Sequence, residues 1–132
     1  MLRLYRGGVT RFLSGGALGY DAIASFATLE AKRTYPDIEL WMIIPFKGQA
    51  ARWGQRDRRI HERLMAVADH VVCLSETYLH GCYHTRNRWL VDNAAHVVAY
   101  YTGKEGGTAY TLSYAIENGL AITNVDELRD AV

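Results

Sequence analysis

The chain of 132 residues is short of several things that would place it in an obvious class. It has two cysteines, too few for a disulfide scaffold, and neither Cys73 nor Cys82 belongs to a CxxC pair. A reduced cytoplasm is the expected compartment. No apolar run approaches the ~18–20 residues that cross a bilayer. The start, Met1-Leu2-Arg3-Leu4-Tyr5-Arg6, has no signal-peptide core, so neither export nor a membrane partner is expected. Charge imbalance is lacking too. Fifteen Lys and Arg stand against 14 Asp and Glu, a formal net charge of +1, which removes the usual electrostatic pull towards nucleic acid. The chain has no Walker A, GxGxxG or GxSxG spacing. A P-loop NTPase, an ordinary NAD dehydrogenase and an α/β-hydrolase therefore lack their defining residues. His80, Cys82 and His84 alternate over a short stretch but have no fourth partner, and no metal is expected.

What is present is an ordinary globular composition with an unusual glycine pattern. The hydrophobic share is 49%, enough for a core, and the length suits one domain over 1–132. Short apolar runs alternate with helical periodicity. Strands are expected at Val9–Leu13, Ile38–Ile44, His70–Leu74, His96–Tyr101 and Leu120–Thr123. Helices are expected with Ala22, Ile23, Phe26, Ala27 and Leu29 on one side and an end before Tyr35-Pro36, around Ile60–Val67, around Thr85–Asn93 and from Gly106 to Asn118, with a terminal turn over Asp126–Val132. Continuously apolar strands alternating with helices predict a three-layer α/β/α arrangement around a mainly parallel sheet of about five strands.

Twelve glycines exceed the ~7% average, and they cluster. Ser14-Gly15-Gly16-Ala17-Leu18-Gly19-Tyr20-Asp21 follows the first strand and opens a helix. Gly106-Gly107-Thr108 follows the fourth strand and opens another. A helix start after a parallel strand offers free N–H groups and a positive dipole end to phosphate. Such glycines also serve plain tight turns, and the sequence leaves both readings open. Asp21 is equally a partner for the helix dipole or an acceptor for ribose hydroxyls. Arg86 could clamp a phosphate, or it could pair with Asp92. Arg52, Arg56, Arg58 and Arg59 around Trp53 make a basic stretch of the kind that more often forms a solvated helix face.

The ordered set Phe12-Leu13-Ser14-Gly15-Gly16-Ala17-Leu18-Gly19-Tyr20-Asp21, Pro45-Phe46 with Gln49 and Trp53, Tyr83 with Arg86-Asn87, Val91-Asp92, and Gly106-Gly107-Thr108 with Thr111 and Tyr114-Ala115 resembles the YpsA-like proteins. These belong to the SLOG superfamily with the LOG phosphoribohydrolases and the DprA proteins. The resemblance runs from about Val9 to Thr123. It implies a Rossmann-like sheet and a nucleotide or ADP-ribose-like ligand, NAD-derived ligands included, in a sensor or regulatory role. Gly15, Gly16, Gly19 and Asp21 would form one wall, and Pro45, Phe46 and Gln49 another. Arg86 and Asn87 would face the ligand, and Gly106, Gly107 and Thr108 would cradle a phosphate.

The chain departs from the family pattern in two places. LOG enzymes carry a glutamate after their glycine-rich motif, whereas Ala109-Tyr110-Thr111-Leu112 follows here. Hydrolysis of an N-glycosidic bond, the alternative activity, would have to use Asp21 or Glu76 instead. Such proteins also usually begin with a strand ending in a Gly-His-Arg type motif, whereas Leu2 to Gly8 looks like the tail of the helix that follows it. The expected sheet thus lacks the family's first, central strand, and exchange with a partner in a homo-oligomer could fill the gap. A DprA-like nucleic-acid module is the remaining alternative, poorly supported by the charge balance.

Overall fold

The computed structural model describes residues 2–101, 103 and 106–125. The elements run α1 (Leu2–Arg6), β1 (Arg11–Ser14), α2 (Tyr20–Thr34), β2 (Glu39–Ile44), α3 (Gln55–Val67), β3 (His70–Cys73), α4 (Cys82–Asp92), β4 (His96–Ala99), α5 (Gly107–Glu117) and β5 (Ala121–Asn124). Alternating helices and parallel strands make this a Rossmann-like α/β chain. The five expected strands all form, distributed over one sheet of three strands and one of two. The chain packs as two compact units, Met1–His80 and Gly81–Val132. The terminal turn expected over Asp126–Val132 lies outside the described residues.

In the first unit β2 is the middle strand, parallel to both β1 and β3. This position explains the apolar run Leu40–Ile44, because a central parallel strand is flanked by strands on both edges and buries most of its side chains. Side chains alternate across the pleat. Leu40, Met42 and Ile44 pack with Leu64 of α3 and against Ala22 and Leu29 of α2 and Ile60 of α3. Fully burying one such side chain stabilises by about 1.5–3 kcal/mol. In a second cluster Phe12, which pairs with Leu40 in register, joins Ala31 and Ile38 and gathers Leu4 and Tyr5 of α1. Tyr5 also stacks on Tyr35 at 4.4 Å and donates to Asp37 at 2.7 Å, which ties down a helix of one turn.

The opposite face of this sheet carries a polar cluster. The Arg11 guanidinium lies 4.5 Å from the Trp41 ring centroid, and His70 meets the same indole at 4.2 Å. Glu39 lies between the two side chains, 3.9 Å from Arg11 and 3.4 Å from His70. At the start of β3, Asp69 clamps the sheet. Its Oδ2 accepts the Leu40 N–H at 2.8 Å, and its Oδ1 pairs with Lys32 of α2.

In the second unit β4 and β5 pair in parallel, from His96 opposite Ala121 to Ala99 opposite Asn124. The Asn124 amide pairs with the Tyr101 backbone, accepting its N–H at 3.1 Å and donating to its carbonyl at 2.9 Å. This side chain imitates one further rung of the ladder. Two tyrosines of α5 anchor α4: Tyr110 accepts from Arg88 at 2.8 Å, and Tyr114 donates to Asp92 at 2.7 Å. Helix α4 begins at Cys82, three residues before its expected start near Thr85. Gly81 makes this possible by adopting φ 77°, ψ 7°. Cys82-Tyr83-His84 shows no apolar periodicity, so the first turn of α4 had no signal to betray it.

Candidate functional site

Two stretches could hold a ligand, one in each unit. In the first, β1 ends at Ser14 and the chain passes through Gly15 and Gly16 to Gly19, the N-cap of α2. Gly16 has φ +69°, and a Cβ built on it would come within 2.8 Å of Ile44 Cδ1 and 3.2 Å of Met42 Cε. Only glycine satisfies both the dihedral and the space. The loop N–H groups already have acceptors. Gly16 N–H donates to Ser14 Oγ at 3.3 Å, and Ala17 N–H to Asp21 Oδ2 at 3.0 Å. Behind them Ser25, 1% exposed, donates to the Asp21 carbonyl at 2.7 Å, and its hydroxyl lies 3.0 Å from that of Ser14.

Pro45 and Phe46 continue from β2. Pro45 is fully buried, and Phe46 meets Tyr78 edge-on at 5.5 Å. Lys47 N–H donates to the Ser75 carbonyl at 3.1 Å, joining the segment after β2 to the one after β3. Gln49 is 5% exposed. Its Nε2 faces the Gly15 carbonyl at 3.5 Å, whereas its buried Oε1 has no partner. Sequence reasoning missed His61 of α3, whose imidazole hydrogen-bonds the Gly16 backbone and meets Trp53 edge-on at 5.2 Å. Burial holds its pKa below the usual histidine value, against the opposing effects of the Gly16 bond and Glu62. Its Nδ1 is buried and unpartnered. Its place beside the Ile60–Leu64 stripe was the available signal.

In the second unit, Arg86 is 5% exposed, with its Nε donating to Asn87 Oδ1 at 2.8 Å and its guanidinium 5.9 Å from the Tyr83 ring centroid. Asn87 thus orients the arginine from the neighbouring position. Gly106, at φ 143° and ψ −161°, is the N-cap of α5, and Gly107 is its first residue. Thr108 is exposed. The first turn of α5 has no acidic residue, and no side chain caps it. The only loop-to-helix bond there is Tyr110 N–H to the Gly106 carbonyl at 3.0 Å among the described residues. Gly19, Gly54 and Gly81 likewise begin α2, α3 and α4 without a side-chain cap. The remaining basic candidates, Arg52, Arg56, Arg58 and Arg59, are exposed on or just before α3. No three His, Cys, Asp or Glu side chains gather to hold a metal ion among the described residues.

The sequence profile of the YpsA family, described as the "YspA SLOG family", matches residues 1–124. The chain belongs to this SLOG family. The match takes in both glycine-led helix starts and everything between them. The curated relatives include "Uncharacterized SPbeta prophage-derived protein YoqJ" of Bacillus subtilis, 29% identical over 80% of this chain and 68% of that protein. UPF0398 proteins of Halalkalibacterium halodurans and Shouchella clausii are 30% and 32% identical, over 87% and 82% of this chain. Those two matches span 62% and 60% of the relatives' own length. No helix among the described residues is long and apolar enough to cross a membrane.

Proposed function

We propose that this SLOG-family chain binds a nucleotide or ADP-ribose-like phosphate ligand, in a sensor or regulatory role in the cytoplasm. The observation that carries the reading is the start of α5. Among the described residues no side chain caps the Gly106 start of α5, and its first turn from Gly107 holds no acidic residue. Such an end attracts an anion through both its N–H groups and its dipole. Family membership supports a nucleotide-related ligand. Binding is favoured over N-glycosidic hydrolysis because no carboxylate stands in the first turn of α5.

A panel of nucleotides, NAD derivatives and ADP-ribose tested by thermal shift checks the reading. A ligand present at a hundred times its Kd stabilises the folded state by about 2.7 kcal/mol. At least one member of the panel is expected to raise the melting temperature. A flat response across the panel at millimolar concentration would overturn the proposal.

A further inference from the structure

The near-even charge of the whole chain conceals a segregation within the first unit. Residues 52–63 hold Arg52, Arg56, Arg58, Arg59 and Arg63 against Asp57 and Glu62, a net +3 in twelve residues. The rest of the chain has ten Lys and Arg against 12 Asp and Glu. All five arginines are exposed. None of them is in an ion pair among the described residues, although both acids stand on the same helix.

Helical spacing gathers three of the five. Arg56, Arg59 and Arg63 fall at i, i+3 and i+7 of α3 and so share one face, while Ile60 and Leu64 of the same helix pack in the core. Arg52 lies just before the helix, and the helical part of the stripe runs ~10 Å at the α-helical rise. The arrangement works against α3 itself. Like charges three and four residues apart, as in Arg56 with Arg59 and Arg59 with Arg63, weaken a helix. Arg56 also sets a cation against the dipole in a first turn that no side chain caps, and Asp57 beside it offsets one such charge. A polyanion lying along the stripe would turn these repulsions into attraction.

We infer that the Arg52–Arg63 face of α3 binds the sugar-phosphate backbone of double-stranded DNA without reading its sequence. Exposed ion pairs to an acidic protein gain little each, and no large apolar side chain is exposed between Arg52 and Arg63 to anchor a protein interface. Duplex DNA suits exposed cations better, because every phosphate neutralised releases condensed counterions. A single strand fits less well. Its binding leans on aromatic platforms, and the Trp53 ring at the head of the stripe already meets His61 edge-on at 5.2 Å. The inference stands within the first unit and is independent of the nucleotide reading.

The test measures binding of a short mixed-sequence DNA duplex by fluorescence anisotropy across a salt series. With four arginines on phosphates, log K is expected to fall against log salt with a slope of about −3 to −4. In Arg56→Gln/Arg59→Gln the slope should shrink by about two, and affinity at low salt should drop at least about ten-fold. Arg56→Lys/Arg59→Lys should keep the slope. Arg11→Gln, on the opposite face of the sheet, should leave both quantities unchanged. Glutamine is as good a helix former as arginine, so the exposed substitutions leave the fold intact. Absence of salt-sensitive duplex binding, or a slope unchanged in Arg56→Gln/Arg59→Gln, would overturn the inference. So would a single strand bound more tightly than the duplex, or poly-glutamate bound as tightly as DNA. Each of these outcomes leaves the nucleotide reading standing.

Discussion

Placing a carboxylate at the first residue of α5 separates the two roles assigned to that helix end. A Cβ at Gly107 meets nothing within 4 Å, and its dihedrals are not in the left-handed region, so Gly107→Glu fits sterically. Folding gains from two sources. Replacing glycine by glutamate recovers about 0.5 kcal/mol of helix propensity, and an acid in the first turn adds about 0.3–1 kcal/mol against the dipole. The variant is expected to be more stable by about 1 kcal/mol, a rise of about 2–8 °C in melting temperature. Phosphate binding moves the other way. Unit charges 4 Å apart repel by ~1 kcal/mol at the dielectric of water and ~4 kcal/mol near a protein surface. Each 1.4 kcal/mol is ten-fold in Kd, so affinity should drop at least about five-fold. Gly107→Gln supplies the propensity without the charge and should keep most of the affinity. Thermal scans and calorimetry on the three proteins read both quantities. Nucleotide binding by Gly107→Glu as tight as wild type would refute the placement of phosphate at α5. A lower melting temperature would refute the reading of an uncapped, unobstructed helix start.

Three further perturbations probe the first unit. Gly16→Ala combines a positive φ, about 1–2 kcal/mol for a left-handed alanine, with overpacking against Ile44 that costs about 1–3 kcal/mol. Urea denaturation should show Gly16→Ala well below Gly19→Ala, which has a positive φ but open space around its Cβ. At Asp69, burial raises the pKa, but the bonds from Lys32 and the Leu40 N–H and the charge of His70 outweigh it, so the carboxyl stays below its ordinary value. Asp69 therefore stabilises the fold above the unfolded-state pKa of about 3.9, and that contribution fades as pH falls through the lower folded value. Asp69→Ala should cost about 1.5–3 kcal/mol at pH 7, and Asp69→Asn less, because an amide oxygen can still accept from Leu40. For His61 the folded pKa is depressed, chiefly by burial. Its contribution is complete above the unfolded value of about 6.5 and is lost as pH falls through the depressed one. His61→Phe should remove that slope in urea titrations between pH 7 and 5, and an unchanged slope would reject the assignment.

The strands were legible because five apolar runs bounded by polar or glycine residues leave little choice of element. Their boundaries moved by at most two residues, and two of the shifts have a local reason. Val9 joins the Phe12 cluster before pairing begins, and Asn124 extends β5 because its amide, not its apolarity, continues the ladder. Strand partners are not written in hydrophobicity, so the division into sheets of three and two had no sequence signal. At the site, the glycine loops and Gln49 stand out in the primary structure. The difference between them does not. It depends on which acceptor each N–H reaches, and so on Ser14, Asp21 and an uncapped Gly106. His61 was hidden because it is brought to Gly16 only by the packing of α3.

Four helices that start on glycine without a side-chain cap have a consequence for how a ligand can be detected. First-turn amides have no intrahelical acceptor, so at each of these ends they should trade their protons for deuterium quickly unless something else holds them. Gly107, Thr108 and Ala109 then act as reporters whose slowing marks an anion at α5. The first turns of α3 and α4, built alike, provide reference amides within the same molecule. The chain thus carries its own probe and its own internal standard, readable in a single exchange experiment without labels or variants.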